Sequence, residues 1–139
     1  MSQSASDYLE QSLLNHIFRT DTFAKPSAIA LALTSNIPTD SSLSELSNAG
    51  AYARKTLTQA DANWSYQQIG GSGVVYNNDL LEFTQASADW GYVSGAAVVD
   101  SATYGAGNIL YRGTIGTPRV IQEGDTLRIP VSGLSVLVS

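Results

Sequence analysis

Residues 83–112, FTQASADWGYVSGAAVVDSATYGAGNILYR, decide how the rest of the chain is read. Trp90 and Tyr92 bring large apolar area to a leading corner, and both are expected in the core. The run from Gly95 to Val99 is small and apolar on both faces, as a strand held between two layers would be. Tyr104-Gly105-Ala106-Gly107-Asn108 supplies turn chemistry, since Gly and Asn tolerate the positive φ of tight reversals. Ile109-Leu110-Tyr111-Arg112 then returns beside the first strand, which predicts a β-hairpin. No catalytic group sits in an activated setting within the stretch. The centre of the chain is architecture.

Upstream, the spacing predicts one helix over about residues 6–19. Ser6 caps it, Asp7 and Glu10 suit its positive N-terminal end, and Arg19 suits its C-terminal end. Leu9, Leu13, Leu14, Ile17 and Phe18 recur at helical spacing as one apolar stripe, with Leu9, Leu13 and Ile17 expected in the core. After Lys25-Pro26, residues 28–34 alternate with period two. Ile29, Leu31 and Leu33 are expected to face the core, leaving an alanine face over which the helix could lie. Residues 36–50 have loop composition and a length usual for a functional loop or an interaction arm. Residues 51–57 read as a strand, and 60–73 as a second long polar loop carrying Trp64 and Tyr66. Short strands follow at 74–76 and 80–84, around an Asn77-Asn78-Asp79 turn.

Downstream, residues 118–121 lead through a Glu123-Gly124-Asp125 turn to a strand over 126–131. Pro130 places that strand at an edge or a bulge. Leu134, Val136 and Val138 close the alternation. About eight short strands without helix-strand alternation predict a mainly β fold, an antiparallel β-sandwich of jelly-roll-like type with one N-terminal helix. The length of 139 residues predicts a single β-sandwich domain over 1–139, with strands from 28 onward.

The composition narrows function. At 43% hydrophobic against 14% charged, the chain is globular, not disordered. Its net charge of -5, with Arg54-Lys55 the only adjacent cations, argues against a nucleic-acid partner. There is no Cys, so neither a disulfide framework nor a thiolate metal site is available. No window approaches the roughly 20 apolar residues of a membrane span, and MSQSASDYLEQ lacks the basic and apolar regions of a signal peptide. Synthesis in the cytoplasm without membrane association is expected.

Few residues are placed to carry chemistry. His16 is the only histidine, and one isolated on a helix is far more often a surface or capping residue than a catalytic one. Gly70-Gly71-Ser72-Gly73 lacks the Lys-Ser/Thr and following helix of a phosphate loop, so a flexible loop is the simpler reading. Neither Asn77-Asn78-Asp79 nor Glu123-Gly124-Asp125 shows the alternating ligands of a calcium loop, and both read as turns. No metal or cofactor is expected. Trp64 and Tyr66, aromatic in a polar stretch, and Tyr104 on the hairpin turn are the candidates for partner or glycan contact.

A set of ordered residues carries a resemblance: Tyr8-Leu9-Glu10, Leu13-Leu14, His16 and Phe18; Lys25-Pro26, Ile29, Leu31 and Leu33-Thr34; Gly50 and Tyr52-Ala53-Arg54; Ala88 and Trp90-Gly91; Gly107-Asn108, Leu110-Tyr111 and Gly113; Gly124-Asp125. Together, and over nearly the whole chain, they resemble a family of small tailed-bacteriophage virion proteins often labelled tail fibre proteins. Ser-Leu-Ser-Glu-Leu-Ser within 36–50 departs from that family's more Gly-rich turn. The resemblance implies a non-enzymatic β-sandwich subunit of a virion. A chain this short lacks the repetitive shaft of a long fibre. It is therefore expected to be a capsid cement or decoration subunit, a homo-oligomer against the major capsid protein, with a tail fibre or baseplate subunit, or a glycan-binding adhesion module, as the alternatives.

Overall fold

Short apolar runs separated by turn residues do produce a mainly β chain with one helix. The computed structural model describes residues 1–138. Eight strands form one sheet in the order β3 (Lys55–Leu57), β2 (Ile29–Thr34), β7 (Gly91–Val99), β8 (Ile109–Ile121), β1 (Ser2–Ala5), β10 (Ser135–Val138), β5 (Ser72–Asn77) and β4 (Trp64–Ile69). Every neighbouring pair is antiparallel except β1 with β10, which run parallel. A separate two-stranded ribbon pairs β6 (Leu81–Glu82) with β9 (Arg128–Ile129).

The two edges of the large sheet, β3 and β4, are consecutive in the chain and joined by residues 58–63. Laid flat, eight strands would set those edges about 33 Å apart. A six-residue connection spans at most about 25 Å. The sheet must therefore curl, and its two halves become the layers of a sandwich. Leu31 and Leu33 of β2, Leu57 of β3 and Val98 of β7 meet Val136 of β10 in one buried cluster, with Leu81 and Ile129 from the ribbon. Val75 of β5 and Trp64 of β4 pack against it.

β7 is buried along nearly its whole length, as the small apolar run predicts. A register shift between Val93 and Gly95 lets Val93, Ala96 and Val98 share the main core. Ala97 and Val99 turn the other way, against Ala32. Leu43 and Ile109 pack on that second face. Residues 36–50 lie on the sheet: Leu46 N–H donates to Leu33 O at 3.1 Å and Ser35 N–H to Ser44 O at 3.1 Å. A Cβ added at Gly95 would come within 2.6 Å of Pro38 Cδ, so glycine is what lets the loop lie so close.

The helix α1 (Asp7–Phe18) starts where Ser6 caps it, the Ser6 side chain accepting from Leu9 N–H at 3.2 Å. It packs against β8. Leu9 is buried and Leu13 half-buried. Ile17, expected in the core, is 66% exposed, and Leu14 and Phe18 are 57% and 79% exposed. One strand cannot cover an apolar stripe of that width, and only the Leu9–Leu13 side is turned inward. Tyr92 is corrected likewise. It is 54% exposed, because Val93 takes the inward position and period-two alternation turns Tyr92 out, opposite the equally exposed Val120.

Two further expectations are corrected. Residues 60–73 are not a long loop: a short 3-10 helix (Asp61–Asn63) leads into β4, and Gly70-Gly71, with φ of 56° and 85°, turns the chain into β5. Two consecutive positive φ values make the tight reversal of a two-residue hairpin. At the other end, the polar segment Ser2–Ala5 is a strand at the centre of the sheet, before the first strand expected at 28.

Candidate functional site

The curl brings the start of β4 against the chain leaving β3, and Trp64 sits at that seam. Its indole N–H donates to Thr58 O at 2.7 Å, and its half-buried ring packs on the main core. Tyr66 lies two residues on, hence on the same face of β4. It is 67% exposed, and its hydroxyl donates to Gln68 Oε1 at 2.6 Å. Trp64 and Tyr66 line one cleft of about 420 Å³ with Lys25, Gln59, Asp61 and Val75. A smaller, open apolar pocket of about 240 Å³ shares Gln59, Trp64 and Val75 with that cleft and is lined also by Ile29, Leu57 and Tyr111. Burial raises the Tyr111 phenol above its ordinary pKa.

Tyr104 stands in a different cleft of about 500 Å³, with Asp7, Asp40, Glu45 and Arg54. Its hydroxyl donates to Leu46 O at 2.8 Å, and its ring meets Tyr52 edge-on at 6.3 Å. The three aromatic candidates are thus one pair and one residue apart from it, and Tyr104 is engaged in holding its own turn.

The second cleft holds a network that the sequence reading missed. Arg54 grips Glu45 with two hydrogen bonds, Nε to Oε2 at 2.9 Å and Nη2 to Oε1 at 2.8 Å. Its Nη1 donates to the carbonyls of Ser101 and Ala106, each at 2.8 Å. Tyr52 Oη donates to Glu45 Oε2 at 2.8 Å and accepts from Leu33 N–H at 3.0 Å. Both charged side chains are nearly sealed from solvent, at 1% and 6% exposure. The hydrogen-bonded Glu45 carboxylate raises the Arg54 pKa further, and burial holds the Tyr52 phenol well above its ordinary value. A second ion pair, Arg112 Nε to Asp40 Oδ1 at 2.6 Å, is half-exposed and keeps the Asp40 carboxyl below its usual range. The signal for the network was the i, i+2 placement of Tyr52 and Arg54, which puts phenol and guanidinium on one side of an extended segment.

The remaining candidates serve structure. His16 Nδ1 accepts from Phe23 N–H at 3.1 Å, tying the helix end to the next segment. Asn77 is buried, donating to Asp79 O and Pro130 O and accepting from Leu134 N–H. Asp125 closes the second turn by accepting from Gln122 N–H at 2.9 Å. Among the described residues, no group of three or more His, Asp or Glu side chains is placed to hold a metal ion, and no helix is long and apolar enough to cross a membrane.

A search of curated proteins finds no match to the chain. The profile of one protein family, described as podophage GP4 fiber I protein gp80, matches residues 4–137, a span reaching from within β1 to within β10 and containing both clefts. That family is one of virion structural proteins and not an enzyme family. With nearly all of its residues inside the match, the chain belongs to the podophage GP4 fiber I protein gp80 family, a fibre family of tailed bacteriophages.

Proposed function

We propose that this chain is a fibre subunit on the outside of a podophage particle, working as one β-sandwich domain in a homo-oligomer that is seated on other virion proteins. The observation carrying the reading is the family match over the whole β body. It supports a fibre subunit ahead of a capsid cement subunit in our reading. The capsid cement reading rested on the missing repetitive shaft of a long fibre, with long polar loops suited to contacting neighbours as a further support. Residues 36–50 are instead pinned to the sheet through Leu46, Glu45 and Arg54, and 60–73 are largely a hairpin.

The contact residue we assign is Tyr66. Its ring is exposed, whereas the Trp64 indole N–H and the Tyr104 hydroxyl are committed within the chain. Exposed aromatic faces beside Lys25, Gln59 and Asp61 suit a sugar or polar protein surface. Cryo-electron microscopy of purified virions tests the location: density for this fold on the tail is expected, and density confined to the capsid lattice overturns the fibre assignment. On a glycan array, binding that is lost in Tyr66→Ala supports adhesion. Binding that is unchanged in that variant removes Tyr66 from the site.

A further inference from the structure

The outer edge of β4 is unusual for an edge strand. Six residues, Trp-Ser-Tyr-Gln-Gln-Ile, carry no charge and no proline, and their register against β5 runs from Trp64↔Asn77 to Ile69↔Ser72 without a bulge. Proteins normally blunt such edges with Lys, Pro or bulges to prevent strand addition. The opposite edge, β3, is only three residues long and carries Lys55.

The hairpin fixes which backbone groups are free. Ile69 and Ser72 flank the two-residue Gly70-Gly71 turn, so they form a hydrogen-bonded pair, as do Gln67 and Ser65 with their partners. Asn78 N–H donating to Asn63 O at 2.9 Å continues the same phase. Trp64, Tyr66 and Gln68 therefore turn their main-chain groups outward. The Trp64 N–H is used, donating to Asp61 O. The N–H and C=O of Tyr66 and Gln68 and the C=O of Trp64 have no partner among the described residues.

We propose that this edge pairs with the β4 edge of a second copy, antiparallel about a two-fold axis at Tyr66, making one continuous sheet across two subunits. The phase of the free groups permits that register. Tyr66 faces its own mate as a hydrogen-bonded pair, Gln68 N–H reaches Trp64 C=O of the other copy, and Ser65 faces Gln67. The strand is self-complementary in charge as well. In a chain of net charge -5, no residue of this strand sets a charge against its copy, and the two exposed Tyr66 rings become cross-strand neighbours. The pairing does not depend on whether the subunit sits on tail or capsid.

The chain has no cysteine, which makes the test direct. In the proposed register the two Tyr66 Cα atoms lie about 5.5 Å apart, within disulfide reach. The two Gln68 Cα atoms lie roughly 13 Å apart along the strands. In the full chain, Tyr66→Cys is expected to form a covalent dimer under glutathione disulfide at least tenfold faster than Gln68→Cys. Equal rates mean random collision and overturn the pairing, as does the absence of any linked dimer. Gln68→Pro removes an outward N–H without touching the bonds to β5, and is expected to weaken the wild-type dimer at least tenfold in sedimentation, with the urea midpoint unchanged at concentrations where both chains are monomeric. A wild-type chain that sediments as a monomer, or a Gln68→Pro dimer of full strength, also overturns it. Should Gln68→Pro disturb the fold, the cysteine pair still decides.

Discussion

Arg54 holds together two segments that no strand pairing connects. Its guanidinium joins Glu45 on the loop after β2 to the carbonyls of Ser101 and Ala106 in the hairpin turn. Burying both charges costs desolvation, so the pair as a whole adds little net stability, but breaking it by halves is expensive. Arg54→Leu should cost about 3–5 kcal/mol by urea unfolding, since it strands the Glu45 carboxylate. Arg54→Leu with Glu45→Leu should recover much of that loss; simple additivity of the two single variants would contradict the coupling. Tyr52 makes the same region sensitive to alkali. Its folded pKa is raised by burial, so the unfolded chain loses the phenol proton first, from about pH 10. Stability is therefore full below that pH and falls as pH rises, by up to about 1.4 kcal/mol per unit for this one group. Tyr52→Phe should flatten the alkaline slope, leaving the smaller part due to Tyr111. Trp90 is half-buried, its indole N–H donating to Gly50 O at 2.7 Å and its ring edge-on to Tyr52 at 5.4 Å. Trp90→Ala should lower stability by about 3 kcal/mol, and an unchanged urea midpoint would remove this corner from the core.

Among the elements, α1 divides sharply along its own length. Leu9→Ala should cost about 2–5 kcal/mol, whereas Ile17→Gln and Phe18→Gln should each stay within about 0.5 kcal/mol of wild type in the same unfolding measurement. Helical spacing showed that the apolar residues share a stripe but not how much of it the body covers, because coverage depends on what the helix lands on. The central hairpin was legible because both β7 faces are buried, and a run of small apolar residues records that directly. β4 was not. Of its side chains only Trp64 reaches the core, so Ser-Tyr-Gln-Gln-Ile looks like loop, and the readable signal was Gly70-Gly71 between two alternating segments. β1 gives even less: Ser-Gln-Ser-Ala owes its place to backbone bonds on both sides, and its one fully buried side chain, Gln3, leaves its amide without a protein partner.

For the molecule as a whole, the sheet closes only because β1 fills the space between β8 and β10. Deleting residues 2–5 should replace one cooperative urea transition with a broad one, while far-UV circular dichroism retains much of its β signal. A single sharp transition in that variant would show that the halves close without β1. The site was legible in part at this scale. Trp64 and Tyr66 stood out as aromatics in a polar stretch, and they do share a cleft. That Tyr104 belongs elsewhere depends on how residues 45–54 and 101–106 meet in space, which spacing along one chain does not encode.

The parallel pairing of β1 with β10 has a consequence during synthesis. Ser2–Ala5 leaves the ribosome long before one of its neighbours in the sheet, which is not made until residues 135–138 have been added. At about 5–20 residues per second, the nascent chain carries that strand half-paired at best for roughly 7–26 s. The polar side chains that hid β1 from a hydrophobic reading are the kind an infected cell can hold in solution for that long.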